Sequence, residues 1–109
     1  MIKNASSSSL LGRRLRDARL AAGIPQDKLG VLIGLDESCS SARISRYESG
    51  IHSPSFNTVE KIAKVLNLPA SYFYCADDSL AEITQSYYKA SPEARLRLLN
   101  FAIELTQTK

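Results

Sequence analysis

Few side chains in this chain could do chemistry, and most of them lack the neighbours that chemistry needs. His52 is the one histidine, and Cys39 and Cys75 are the two cysteines. Neither cysteine has a base beside it, and no metal-ligand spacing or phosphate-cradling glycine loop is present, so neither an enzyme nor a metal or other cofactor is expected. The cysteines read as reduced structural thiols, Cys39 in a polar loop. Arginine remains. The stretch ARISRYESG, residues 42–50, sets Arg43 and Arg46 three apart, flanked by Ser41 and Ser45, with only Ile44 and Tyr47 as large apolar residues. A guanidinium is a planar fork of donors suited to paired acceptors. A helix this polar is built for contact on its outer side.

The elements that must hold it are all helical. Leu11, Leu15, Ala18 and Ala22 recur at helical spacing with Arg13, Arg14, Arg16 and Asp17 between them, and Gly23 stops that helix. Pro25 suits the first position of a short second helix whose buried side is Leu29, Leu32 and Ile33, up to Gly34. LDESCSS, residues 35–41, reads as a loop ending in a helix cap, Ser40 or else Ser38. The third helix then carries Ile44 and Tyr47 inward and ends at Gly50. Val59, Ile62, Ala63 and Leu66 give a fourth, capped near Ser55 or Asn57, and residues 69–74 one further turn. Ser79 to Glu82 has a capping-box pattern after the break at Asp77-Asp78. Ser91-Pro92-Glu93 starts a last helix whose apolar residues, Leu96 to Leu105, cover more than one stripe and so need more than one neighbour. The Tyr87-Tyr88 pair is expected between these last two helices.

Length suits one compact unit of 109 residues. Charge is uneven: residues 1–34 hold six basic and two acidic side chains, whereas residues 76–109 hold four and five. That points to a polyanion for the first part alone. No apolar run has membrane length and residues 1–9 lack a signal-peptide centre, so a soluble intracellular protein without a membrane partner is expected.

Two short helices joined by a glycine turn, the second polar outside, form a helix-turn-helix arrangement. With LGRRLRDARLAAGIPQDKLGVLIG and ARISRYESGIHSPSFNTVEKIAKVLNL, the chain resembles the Cro and phage-repressor family, also called the xenobiotic-response-element type, over residues 12–74. The absence of strand-like alternation makes the expected fold all-α, with a serine-rich flexible tail at 1–10 and a helical extension at 76–109 for dimerisation or packing; the resemblance implies a five-helix repressor-like domain between them, over residues 11–75. It implies a transcriptional regulator, by preference a repressor, that binds double-stranded DNA as a homodimer on a pseudo-palindromic operator in a bacterial or phage-infected cytoplasm, at the nucleoid. Residues 41–48 would lie in the major groove. Position by position, Ser41, Ala42, Ser45 and Arg46 would read bases, and Arg46 could fork onto guanine O6 and N7. Arg13, Arg14, Arg16, Gln26, Arg43 and His52 would serve the DNA backbone, Gln26 from the second helix's amino terminus. Arg19 and Glu48 would form a structural salt bridge, and Gly30 would mark a crossing too close for a side chain larger than Ala.

This sequence departs from that pattern in two places. Nine residues separate Gly34 from Ile44, an insertion of four, and residues 51–53 offer only His52 where basic side chains are common. A competing expectation, of a different kind, is an antitoxin-like or partner-binding module whose last helices grip another protein.

Overall fold

The computed structural model describes residues 9–107, so the expectation of a flexible tail falls almost wholly outside the described residues. Six α-helices follow one another: α1 Leu10–Ala22, α2 Gln26–Leu32, α3 Glu37–Ser49, α4 Phe56–Leu66, α5 Asp78–Lys89 and α6 Pro92–Gln107, with a 3-10 helix at Ala70–Tyr74 between α4 and α5. No strand interrupts them among the described residues, and the fold is all-α as expected. No helix among those residues is long and apolar enough to cross a membrane.

The boundaries follow local chemistry. Ser9, expected in the tail, caps α1 by accepting from the Gly12 amide at 2.9 Å. Gly23 and Gly50 close α1 and α3 at φ +71° and +85°, a left-handed turn that a side chain would strain. Pro25 precedes the first residue of α2 instead of occupying it. The Asp77 carboxylate, not Ser79, caps α5, accepting from the Ser79 and Leu80 amides. Ser91 caps α6 through the Ala94 amide at 3.1 Å, as its Ser-Pro-Glu signal requires.

The largest departure from expectation is at α3. Asp36 accepts from the Ser38 amide at 3.0 Å and starts the helix at Glu37, so the four inserted residues add a helical turn in place of a loop. Cys39 is therefore helical and partly buried. Ser40, the expected cap, is fully buried and donates its hydroxyl to the Asp27 carbonyl of α2 at 2.5 Å. Asp and Ser both cap helices well; the tertiary partner of Ser40 decides between them.

One core fills the space between these helices, with Leu15, Leu29, Ile44, Val59, Ile62 and Phe73 essentially sealed from water. Two glycines set how closely the layers approach. A Cβ on Gly30 would fall 1.9 Å from Ser40 Oγ and 3.0 Å from Ser40 Cα. The crossing is thus tighter than expected, and even the methyl of Ala would force Ser40 to shift. A Cβ on Gly12 would fall 2.3 Å from the Glu48 carbonyl oxygen, so α1 rests directly on the end of α3.

Beyond the core, α5 buries Ala81 and α6 buries nothing. A groove of about 980 Å³ runs between them, lined by Ile83, Tyr87, Leu98, Leu99, Phe101 and Ala102 among others. Arg95 holds the corner: Nε donates to the Tyr87 carbonyl at 3.0 Å, Nη2 to that of Tyr88, and its guanidinium stacks on both rings at 5.4 and 5.7 Å. The Gly30 contact is open to test. Gly30→Ala should lower stability by about 1 to 3 kcal/mol, the usual result of forcing atoms into a filled interior. A urea midpoint equal to that of the unaltered protein would contradict the close crossing.

Candidate nucleic-acid interface

The α3 helix has one face sealed and one face open. Ser40, Ile44, Tyr47 and Glu48 turn inward at helical spacing, while Ser41, Ala42, Ser45 and Arg46 are exposed and Arg43 is partly so. The four expected base-reading residues thus share the accessible surface of one helix. Tyr47, hydrogen-bonded to Arg43, raises the pKa of that guanidinium further. Asp36 and Glu37 lead the helix. The Asp36 carboxyl is held below the usual carboxylate range by the Ser38 hydroxyl and amide.

Behind this face lies a buried ion pair. Arg19 Nε donates to Glu48 Oε2 at 2.5 Å and Nη2 to Oε1 at 3.2 Å, with side-chain exposures of 10% and 4%. Arg19 Nη1 also donates to the Ile24 carbonyl at 3.0 Å. These bonds join the end of α1, the glycine turn and the end of α3. Gln26 extends the set, its amide nitrogen donating to Glu48 Oε1 at 3.1 Å and its oxygen accepting from Ser41 Oγ at 3.4 Å. The residue expected at a phosphate is therefore also tied to the ion pair and to the open face.

The other arginines divide. Arg14 is buried: Nε and Nη2 donate to the Cys75 carbonyl at 3.0 and 2.8 Å, and Nη2 to Asp78 Oδ1 at 2.8 Å. Its assignment to a phosphate is corrected, because its guanidinium already joins α1 to the start of α5. Arg13 reaches the same carboxylate at 3.4 Å from a partly exposed position. Arg14, then Arg13, holds the Asp78 carboxyl below its usual range. Arg16 is exposed on α1, and His52 is exposed in the loop after α3, where its amide donates to the Arg46 carbonyl at 3.2 Å. Sequence reasoning missed Asp78 and the Cys75 carbonyl as partners. Arg14 did carry a signal, since it lies three residues after Leu11 and four before Ala18, on the apolar stripe. Among the described residues no cluster of three or more His, Cys, Asp or Glu could hold a metal ion.

Comparison with known proteins agrees with this geometry. Residues 10–71 match the helix-turn-helix domain family. Two curated relatives, each described as an uncharacterized HTH-type transcriptional regulator, come from Sinorhizobium medicae (strain WSM419) and Rhizobium meliloti (strain 1021). Each is 31% identical over 64 residues, 59% of this chain and 43% of the relative, so the chain spans under half their length. The crystal structure of the transcriptional regulator BswR is 42% identical, with a TM-score of 0.82 over 85% of this chain and 92% of that one.

The buried pair supports a direct test. Glu48→Ala strands the Arg19 charge and should cost about 3 to 5 kcal/mol, because an unpaired buried charge is poorly solvated. A melting temperature unchanged by the substitution would show that α3 does not depend on the pair.

Proposed function

Because the chain belongs to the helix-turn-helix domain family, we propose that it is a sequence-specific DNA-binding transcriptional regulator of the Cro and phage-repressor type, acting in the cytoplasm as a repressor. The observation that carries this reading is the division of α3 into a sealed face and an open one, with Ser41, Ala42, Ser45 and Arg46 accessible together. The open face enters the major groove, where base edges differ in their donors and acceptors. Arg46 forks onto a guanine, while Arg16, Arg43, Gln26 and His52 contact the backbone, Arg13 joining them if it leaves Asp78.

The operator is pseudo-palindromic because the protein binds as a homodimer, with recognition helices about one DNA turn, roughly 34 Å, apart. Supporting this is α6, which exposes Leu96, Leu99, Phe101 and Ile103 and buries none of its residues. A two-fold pairing covers the same surface on both copies.

Selection from a random duplex pool, read by fluorescence anisotropy, tests the first part. A palindromic site should be enriched, Arg46→Ala should relax one symmetric position, and affinity should fall with salt. Weak, unselective binding would refute sequence reading and favour the partner-binding module. Sedimentation tests the second part. The protein should run as a dimer at micromolar concentration and Phe101→Glu as a monomer; a monomeric mass without substitution would refute the dimer, and co-purification of a stoichiometric second protein would point to the partner-binding module instead.

A further inference from the structure

The chain of polar contacts from Arg19 to Ser41 has only one consistent order of donors and acceptors. A guanidinium only donates and a carboxylate only accepts, so Arg19 and Glu48 fix the first link. Gln26 must turn its NH2 group to Glu48 Oε1, 3.1 Å away, because its carbonyl there would oppose another acceptor. Its carbonyl then faces Ser41 Oγ at 3.4 Å. A carbonyl cannot donate, so in this contact the Ser41 hydroxyl is the donor and Gln26 the acceptor. With that bond made, only lone pairs remain for Ser41 to present outward. The chain runs from buried Arg19 and Glu48 through partly buried Gln26 to exposed Ser41.

We propose that the buried ion pair fixes Ser41 as a hydrogen-bond acceptor, through Gln26, so that α3 selects a base bearing an exocyclic amine, adenine or cytosine, on the strand that Ser41 faces. The inference rests on the DNA-binding reading above. In the major groove the base-edge N–H donors are adenine N6 and cytosine N4, whereas guanine O6 and N7 and thymine O4 only accept. A free serine hydroxyl rotates to suit either kind and carries little specificity. A hydroxyl whose proton is committed distinguishes them. At 3.4 Å the Ser41 link is long for a hydroxyl bond. Its order matters once a base displaces water, since a desolvated acceptor facing another acceptor goes unpaired. Ser41 touches the base; toward that base Gln26 is a positioning residue, in addition to its contact with the DNA backbone.

The test uses the site enriched from the random duplex pool, with adenine replaced by purine, or cytosine by 2-pyrimidinone, one symmetric pair at a time. Affinities are read by anisotropy for the unaltered protein, Ser41→Ala, Ser41→Thr and Gln26→Met, each checked by its melting temperature. Removing the amine at one pair should weaken the unaltered protein and Ser41→Thr by about 2- to 10-fold, the scale of one neutral hydrogen bond, and leave Ser41→Ala indifferent. Gln26→Met should weaken all sites alike through its lost backbone contact and, beyond that, accept guanine or thymine on the faced strand at that position alone, a local change that general loss of folding would not produce. An enriched site at which Ser41→Ala keeps every amine sensitivity, or at which the Ser41-dependent position on the faced strand favours guanine or thymine, overturns the ordering and leaves DNA reading intact. Retained selectivity in a folded Gln26→Met overturns the role of Gln26. Enrichment of no site overturns both this inference and the reading on which it rests.

Discussion

Two opposite charges removed from water together, Arg19 and Glu48, are the contact on which the arrangement of the first three helices depends. Desolvating such a pair costs several kcal/mol per ion, and attraction alone offsets this only when further hydrogen bonds complete the geometry. Here they do. The Ile24 carbonyl accepts from Arg19 Nη1, and the Gln26 amide nitrogen donates to a Glu48 oxygen. Every group that completes the pair lies on a different segment, so the pair forms fully only when α1, the glycine turn, α2 and α3 are all in place. The two side-chain-free approaches at Gly12 and Gly30 permit this by letting α1 rest on the end of α3 and α2 cross its start.

The outer face of α3 gains rigidity from the same contacts. A recognition surface must hold its groups in position before it meets a partner, or the ordering cost falls on binding. Ile44 and Tyr47 anchor the helix through the core, and Gln26 links Ser41 to the ion pair behind it. The carboxy-terminal part is built differently. Arg14 and Arg13 fasten the start of α5 to α1, and Arg95 fixes the corner before α6, while α6 itself lies open. The first helices therefore present a finished polar surface and the last one an uncovered apolar surface.

Much of this was legible because it rests on local chemistry. Gly23 and Gly50 announce their helix ends, Ser91-Pro92 announces α6, and the spacing of Ile44 and Tyr47 shows which way α3 faces. What was not legible depends on partners distant in sequence. Asp36 and Ser40 are equally good caps until Ser40 meets Asp27 and Gly30 across the α2 crossing. Arg14 resembles its neighbours Arg13 and Arg16 until the Cys75 carbonyl, 61 residues away, captures it. Gln26 matched a phosphate-binding position, yet its bond to Glu48 could not be foreseen from that match.

In the proposed complex the open face of α3, backed by the ion pair, is the surface that meets DNA. Amide chemical shifts measured during titration with a mixed-sequence duplex at low salt test it most directly, because they map the contact surface whatever the operator sequence is. Perturbations should concentrate at residues 41–46 and at Arg16, Gln26 and His52, with α5 and α6 unmoved. Perturbations confined to α5 and α6, with α3 silent, would contradict it.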